Sequence, residues 1–206
     1  MHEVKNKSED INTGKKFWKP GTMLSPVPVV MVSCQADGKR PNIITIGWAG
    51  TVCSEPPMLS IAIRPSRYSY ELIRKSREFV VNIPSVHQLR ATDKCGVISG
   101  RDTDKFAMTG LTPAPARTVR APIIAECPIN IECKVHHILP LGSHTLFIAE
   151  VKGVQVSAHL VTKAGRLAIE QGGLIAFAHG HYYALGKQIG HFGFSVRKRH
   201  KRGTSR

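Results

Sequence analysis

The feature that most constrains the fold is an alternation of apolar and polar residues over 129–136, in the segment INIECKVHHIL. Successive side chains of a β-strand point to opposite sides, so this pattern predicts a strand with one buried face. The set facing one way is Ile129, Ile131, Cys133 and Val135, and the set facing the other way is Asn130, Glu132, Lys134 and His136. Further short apolar runs predict strands at 29–34, 42–48, 58–64, 79–83, 144–156 and 181–185.

Turn and capping residues separate these strands. Asp37 and Gly38 predict a hairpin turn, and Gly153 predicts a bulge in its strand. Ser69 is the predicted N-cap of a short helix, and Glu71 suits the dipole of its first turn. The predicted helical segments are 69–77, 85–94 and a single turn within 163–171, and the predicted long loops run from 95 to 128.

Many short strands with few helices predict a mainly β fold, an antiparallel β-barrel rather than a parallel α/β sheet. The chain has 206 residues, of which 42% are hydrophobic, and this predicts one domain with short appendages. Neither a G-x-G-x-x-G motif after a strand nor a G-x-x-x-x-G-K-[ST] motif occurs. A Rossmann or P-loop nucleotide site is therefore not expected.

Cysteine usage and hydropathy predict a cytoplasmic protein. The five cysteines are scattered and odd in number, which favours reduced thiols over a disulfide framework. No apolar run approaches the roughly 18–20 residues that span a bilayer. The N-terminus is charged and lacks the apolar segment of a secretory signal.

The formal net charge is +15, and part of it is concentrated at the C-terminus. Residues 197–206 are predicted to form a basic tail, and residues 1–20 a polar, lysine-rich arm. The cations of the tail are Arg197, Lys198, Arg199, Lys201, Arg202 and Arg206. A basic chain attracts nucleic acid, acidic proteins or phosphorylated small molecules, and charge alone does not choose among them.

The corner at 64–69 has the composition of a phosphate site. A strand ends there at Arg64, a helix begins near Ser69, and Ser66 and Arg67 lie between them. Backbone N–H groups, hydroxyls and guanidinium groups can bind a phosphate monoester together. The alternative is an ordinary capped helix with solvated arginines.

The preceding segment, GWAGTVCSEPP, is interpreted as a bend that can receive a flat ligand. Small residues let such a ligand lie against the backbone, and they are Gly47, Ala49 and Gly50. The hydroxyls of Thr45 and Thr51 and the N–H groups of 50–53 can hydrogen-bond a heteroaromatic edge. Trp48 offers an apolar face, or it is a core tryptophan.

Together these residues resemble the flavin-binding core of the flavin reductase-like family, which includes flavoredoxins and NAD(P)H:flavin oxidoreductases. The segments that carry the resemblance are NIITIGWAGTVCSEPPMLSIAIRPSRYSYELIRKSREFVVNIP, CGVISGRDTDKF, ECPINIECKV, LGSHTLFIAEV and YYALGKQIGHFGFSV. The resemblance implies a six-stranded Greek-key split barrel over residues 21–196. It also implies a homodimer with FMN near the subunit interface.

The resemblance also implies which residues bind the cofactor. The isoalloxazine and ribityl chain are expected against Asn42, Thr45, Gly47, Trp48, Ala49, Gly50, Thr51, Val52 and Cys53. The phosphate is expected at Arg64, Ser66, Arg67 and Ser69, with Tyr68 also among the cofactor-binding residues. His144 is expected near the flavin and the nicotinamide, or it is a loop histidine at a strand start. Lys105 and Phe106 are expected to close over the ring, or they belong to a packed loop.

No metal site is predicted. In the strand 129–136, Cys133 and His136 point to opposite faces, so they do not share an ion. His179 and His181 are predicted to share a strand face, but two ligands do not make a zinc site. Cys53 and Cys95 are interpreted as small packing residues. A bound flavin carries redox chemistry itself, so the protein needs neither a nucleophile nor a metal.

Three functions stay open at this point. The first is an NAD(P)H-dependent flavin reductase that transfers hydride from nicotinamide to FMN. The second is a flavoredoxin-type electron carrier with tightly bound FMN and protein redox partners. The third is binding of nucleic acid or an acidic partner through the basic tail.

Overall fold

The computed structural model describes residues 14–196, which form a mainly antiparallel β structure. Its strands are β1 (Val27–Pro28), β2 (Val30–Cys34), β3 (Asn42–Ile46), β4 (Ala49–Ser54), β5 (Pro57–Ile63), β6 (Glu78–Ile83), β7 (Pro113–Ala114), β8 (Ile123–Ile124), β9 (Ile129–Leu141), β10 (His144–Val156), β11 (Ile175–Ala178) and β12 (His181–Ala184). Its α-helices are α1 (Tyr68–Ser76), α2 (Leu89–Val97) and α3 (Lys105–Thr109). Short 3-10 helices cover Val86–Gln88, Ala158–Leu160, Ile169–Gln171 and Phe194–Val196.

The main sheet has seven strands in the order β3-β2-β6-β9-β10-β5-β4, and it does not close. Strands β3 and β5 nevertheless approach each other, because the two-residue link from β3 to β4 turns the chain across the gap. The carbonyl of Trp48 in this link accepts a hydrogen bond of 2.9 Å from the backbone N–H of Ala62 in β5. The open side between β3 and β5 is the split of the barrel.

The barrel core is built from every second residue of six strands, and β4 extends the sheet beyond them. The residues of this core are Val30, Val32, Cys34, Ala36, Ile44, Ile46, Leu59, Ile61, Ile63, Leu72, Ile73, Phe79, Val81, Cys133, Val135, Phe147 and Ala149. Helix α1 contributes Leu72 and Ile73 and so closes one side of the core. Fully burying such aliphatic side chains stabilises the fold by about 1.5–3 kcal/mol each.

The opposite face of the sheet is covered by two smaller clusters. One, here called the outer cluster, packs helices α2 and α3 against β2 and β3, and its members are Met31, Ile43, Cys95, Phe106, Leu111, Ile124 and Cys127. The other packs 119–123 against β6, and its members are Val80, Val119, Ala121 and Ile123. This cover also buries Glu132, whose carboxylate accepts hydrogen bonds from the backbone N–H groups of Arg117 and Thr118.

Several sequence-based predictions are confirmed. Strands β2 and β3 form the hairpin predicted at Asp37 and Gly38, where Gly38 has a φ of +68° that favours glycine. The register of β9 and β10 shifts between Val151 and Gly153, as the predicted bulge requires. Of the apolar residues predicted to share one face of β9, Cys133 and Val135 lie in the barrel core and Ile131 packs against it.

Other predictions are wrong. The segment interpreted as a bend contains β4, an edge strand paired with β5 on one side only. The region 95–128 is not all loop, because it contains the end of α2, all of α3 and the short strands β7 and β8. Strand β11 was not predicted, and it forms a separate sheet with β1 and β12.

The N-cap of α1 also differs from the prediction. The N-cap residue is Arg67, two residues before the predicted Ser69, and no side chain caps the helix. Ser69 lies inside the helix and is buried, and its Oγ accepts a hydrogen bond from Asn42 instead. Glu71 does lie in the first turn, where it pairs with Arg74 at 3.0 Å.

Within residues 14–196, no helix combines the length and the apolar character needed to cross a membrane. The predicted basic tail, 197–206, and most of the predicted N-terminal arm lie outside the described residues.

Candidate functional site

Two adjoining cavities open at the split of the barrel. The first, here called the basic cavity, has a volume of about 500 Å³ and lies between β3, the 64–69 corner, the end of α2 and Lys105. The second, here called the split cavity, has a volume of about 180 Å³ and lies between β3, β5 and the start of β10. Ile44, Arg64 and Arg67 line both cavities, so the two are continuous. The basic cavity falls within the ~300–1,000 Å³ typical of small-molecule sites.

The 64–69 corner brings cations and backbone donors to the basic cavity. Strand β5 ends at Ile63, and the N–H of Arg67 closes a turn onto the carbonyl of Arg64 at 3.0 Å before α1 begins. The first N–H groups of a helix have no partner within it, and they carry the positive end of its dipole. Ser66 and Tyr68 complete this wall. The corner therefore favours an anionic ligand.

Lys105 adds a buried cation to the same cavity. It is only 3% exposed, and its Nζ donates a hydrogen bond of 2.7 Å to the carbonyl of Cys95, near the end of α2. Burial lowers the pKa of Lys105 below its ordinary value, and the nearby charge of Arg67 lowers it further. Among the described residues, no carboxylate pairs with Lys105, Arg64 or Arg67. An anion in the cavity would supply the missing counter-charge.

A hydrogen-bonded contact fixes the floor of the basic cavity. The Nδ2 of Asn42 donates to the Oγ of Ser69 at 2.8 Å, which ties β3 to α1. Gly100 packs against the same amide, and a Cβ at this glycine would lie only 2.0 Å from the Oδ1 of Asn42. Only glycine fits here without moving the amide.

Most of the basic-cavity residues that the sequence did not predict lie at the end of α2 and in the loop after it. The lining residues without a predicted role in the basic cavity are Ile44, Cys95, Gly96, Ile98, Ser99 and Gly100. The available signal was the pair of glycines in CGVISG, since glycine marks places where the backbone approaches a ligand or a neighbour. In the split cavity the missed residues are Ile46, Ala62, Ile63 and Phe177.

The thiols beside the basic cavity are protonated at neutral pH. Burial raises the pKa of Cys34 to about 12 and that of Cys95 to about 11. A thiol with such a pKa is a poor nucleophile. Cys53 is half-buried on β4, and its Sγ lies 3.4 Å from the carbonyl of Glu55. All five cysteines lie within the described residues, and none is in a disulfide.

The split cavity combines aromatic and polar walls. Trp48 and Phe177 line it, and Trp48 is 39% exposed, so it is not a core tryptophan. Thr45 also lines the cavity, but its hydroxyl already donates a hydrogen bond to the carbonyl of Thr92. Gly47 contributes a wall without a side chain.

His144 stands at the mouth of the split cavity, at the start of β10. Its Nδ1 lies 2.9 Å from the hydroxyl of Ser143. Burial lowers the pKa of His144, and the charge of Arg64 lowers it further. The imidazole is therefore neutral at pH 7 and can donate or accept a hydrogen bond there.

The structure does not bring every predicted residue to these cavities. The five β4 residues Ala49, Gly50, Thr51, Val52 and Cys53 line neither cavity, because β4 continues outward along the edge of the sheet. Lys105 lies at the basic cavity and not at the split cavity. Phe106 does not close over a cavity, since its ring is buried against Met31 and Ile43 in the outer cluster.

The histidine pair near the C-terminus also differs from the prediction. His179 and His181 do not share a strand face, because His179 lies in the turn before β12 with a φ of +46°. Its carbonyl lies 3.0 Å from the Nδ1 of His181. Between residues 14 and 196 no group of three or more His, Cys, Asp or Glu side chains is arranged to hold a metal ion.

The arrangement suits a ligand with an anionic end and a flat body. Cations and helix N–H groups line the basic cavity, and aromatic, aliphatic and glycine residues line the split cavity beyond the two arginines that both cavities share. FMN has this shape and charge distribution, and the residues present therefore fit it.

Comparison with known proteins also supports a flavin as the ligand. Residues 22–186 match the model of the family described as Flavin reductase like domain. The fold is similar to flavoredoxin of Desulfovibrio vulgaris (Miyazaki F), with 34% identity, a TM-score of 0.83 and coverage of 89% of this chain and 100% of the other. A flavoredoxin from Methanosarcina acetivorans gives 26% identity, a TM-score of 0.79 and the same coverage.

One relative by sequence is an uncharacterized protein of Archaeoglobus fulgidus, which is 36% identical over 113 residues. This match spans 55% of the present chain and 64% of the relative's length. The family match and the likeness to the flavoredoxins support a flavin-related oxidoreductase or electron-transfer function. On this evidence the chain belongs to the flavin reductase-like family.

Proposed function

We propose that the protein binds FMN at the split of the barrel and acts as an NAD(P)H-dependent flavin reductase, which transfers hydride from nicotinamide to FMN. The observation that carries the proposal is the pair of continuous cavities that share Arg64 and Arg67: the first also holds Lys105 and has no carboxylate partner for these cations among the described residues, and the second has the aromatic walls of Trp48 and Phe177. The family match supports a flavin as the ligand.

In this proposal the basic cavity holds the FMN phosphate. Arg67 and Lys105 supply charge, Ser66 supplies a hydroxyl, and the N-terminus of α1 supplies N–H donors. Hydrogen bonds between charged groups and phosphate are shorter and stronger than neutral ones. Asn42 and Ser69 are already bonded to each other, so their part is to shape the floor beneath the ribityl chain.

The split cavity takes the isoalloxazine ring. Trp48 and Phe177 shield the ring from water, and Gly47 lets it approach the backbone. His144, held by Ser143, offers a neutral hydrogen-bonding group where a nicotinamide would enter. Bound FMN supplies the redox chemistry, while these residues orient it and exclude solvent.

A second candidate is a flavoredoxin-type electron carrier with tightly bound FMN. It is favoured by the likeness to two flavoredoxins over 89% of this chain. The two candidates differ in turnover. A reductase oxidises NADH or NADPH continuously when free FMN is added, whereas a carrier takes its electrons from a protein donor and does not oxidise the nicotinamide itself.

The test is the visible spectrum of the purified protein, followed by titration with FMN. We expect a yellow protein, or quenching of FMN fluorescence at micromolar concentration with one FMN per subunit. Arg67→Ala should weaken FMN binding at least about tenfold and riboflavin binding much less, because riboflavin lacks the phosphate. A colourless protein that does not quench FMN fluorescence contradicts the proposal.

We also propose a cytoplasmic homodimer with the flavin near the seam. Edge strand β4 supports this, since it is paired on one side only and exposes Thr51 and Val52. Light scattering should give twice the subunit mass of 22.6 kDa. A 22.6 kDa species with full FMN occupancy contradicts the dimer.

A further inference from the structure

The two arginines of the 64–69 corner differ in their neighbours, although both were predicted to hold phosphate. Strands β5 and β10 pair with Ile63 opposite Thr145 and Ala62 opposite Leu146. Continuing this antiparallel register by one residue places Arg64 opposite His144 at the open end of the ladder. Residues opposite each other in such a ladder have Cβ atoms about 4.5–5.5 Å apart.

The two arginines also differ in the group whose pKa each of them lowers. The charge of Arg64 acts on His144, whereas the charge of Arg67 acts on Lys105. Arg67 is also the N-cap residue of α1, so its backbone belongs to the helix start. Both arginines line both cavities, but the charge of Arg64 is coupled to the β10 end of the site and the charge of Arg67 to the buried lysine.

From this geometry we propose that Arg64 is not a phosphate ligand but the residue that stabilises negative charge on the flavin ring when the ring is reduced. The inference rests on the proposed function, because it requires a flavin in the split cavity. In this role Arg64 stabilises the reduced form of the bound flavin more than the oxidised form.

The charge balance gives the physical reason. Two electrons and one proton convert the neutral oxidised ring into a reduced ring with one negative charge. A protein tunes a bound flavin through the charges that it places near the ring. His144 is neutral and cannot offset this charge. Arg64 has neither an ion pair nor a side-chain hydrogen bond with the described residues, so its guanidinium is available to the ring.

The experiment compares Arg64→Gln, Arg64→Lys and Arg67→Gln with the wild type, each loaded with FMN. Dithionite supplies the electrons and is oxidised to sulfite, water supplies the proton, and an indicator dye reports the midpoint potential. The dissociation constants of oxidised FMN and of riboflavin are measured beside it. Arg64 and Arg67 are both exposed, so these changes leave the core intact.

We expect Arg64→Gln to weaken binding of the reduced flavin about tenfold more than that of the oxidised flavin. This lowers the midpoint potential by about 30 mV for a two-electron couple. Arg64→Lys should restore most of the potential. Arg67→Gln should leave the potential near the wild-type value and reduce the preference for FMN over riboflavin. A pH titration of His144 by NMR in the flavin-free protein should show its pKa rising in Arg64→Gln.

The opposite results overturn the inference. An unchanged potential in Arg64→Gln, an equal shift in Arg67→Gln, or a selective loss of FMN over riboflavin in Arg64→Gln would each place Arg64 at the phosphate or outside the site. Failure of the wild-type protein to bind any flavin overturns the proposed function, and this inference with it.

Discussion

Replacing Lys105 by methionine removes the buried charge of the basic cavity and keeps a side chain of similar length. In the wild-type protein this ammonium group is 3% exposed, donates to the Cys95 carbonyl, and lies near Arg67 without a carboxylate partner. Burial has removed more water from the Lys105 ammonium group than from the exposed side chains of Arg64 and Arg67. If the basic cavity binds the FMN phosphate, the phosphate replaces this lost hydration. Removal of the Lys105 charge should therefore affect FMN far more than riboflavin.

The size of the effect follows from two opposing contributions. A hydrogen bond to a charged group contributes about 1.5–3 kcal/mol, which corresponds to roughly 10- to 150-fold in the dissociation constant of FMN. In the flavin-free protein, Lys105→Met removes a desolvated charge and its repulsion with Arg67, but it also leaves the Cys95 carbonyl near the end of α2 without its donor. These two changes have opposite signs, so the free energy of unfolding should change by less than about 2 kcal/mol.

The pH dependence gives a second signature. The pKa of Lys105 is lowered from 10.5 in the folded protein, so the unfolded chain binds the proton of this lysine more tightly than the folded protein does. Between the lowered pKa and 10.5, the contribution of Lys105 to the free energy of unfolding therefore rises with pH. FMN affinity should change in the opposite direction, falling as pH rises through the lowered pKa, because phosphate favours the protonated lysine.

The assay is a fluorescence titration of FMN and of riboflavin from pH 7 to pH 10.5, on the wild type, Lys105→Met and Lys163→Met. Lys163→Met removes the same charge from an exposed loop residue that lines neither cavity, so it controls for net charge. Equal losses of FMN and riboflavin affinity in Lys105→Met, or equal FMN losses in both variants, would refute the argument.

Two further predictions concern a glycine and the C-terminal tail. Gly100→Ala should displace the Asn42 amide and weaken binding of both flavins at least tenfold, since its Cβ would lie 2.0 Å from Oδ1. Gly186→Ala, whose Cβ would meet nothing within 4 Å and which lines neither cavity, is the matched control in the same titration. Truncation after Val196 should leave flavin affinity and turnover unchanged while abolishing any salt-sensitive nucleic-acid retention in a gel-shift assay. Loss of flavin binding on truncation would show that the tail belongs to the fold or to the dimer seam.

The sequence predicted those strands whose one face is buried in the barrel. Strand β9 shows the reason. Apolar residues such as Cys133 and Val135 lie at every second position and face the barrel core, so the sequence alternates between apolar and polar residues. Strand β4 lacks this alternation of apolar and polar residues, because it is a mostly exposed edge strand whose glycine, threonine and serine residues do not pack in the core. Its segment therefore had the composition of a bend.

The site was predictable where one local segment forms it and not where distant segments meet. The residues of the 64–69 corner are neighbours in the chain, so their shared cavity follows from a strand end and a helix start. Lys105 and Phe106 are adjacent in the sequence, yet one lines the cavity and the other lies in the outer cluster. Only the packing of α3 against β3 decides which of the two reaches the ligand.

The hydrogen-bond partners of the site residues separate structural from ligand-directed roles. Asn42, Thr45 and Lys105 each donate to another part of the protein, so changes there should alter stability and ligand affinity together. The side chains of Arg64 and Arg67 have no such partner among residues 14–196, and their removal leaves no buried group unsatisfied. An uncompensated cation at the mouth of a cavity contributes little to the fold, and its charge is available to a ligand. The two arginines are therefore the positions at which cofactor affinity and redox potential can change while the barrel stays as stable as before.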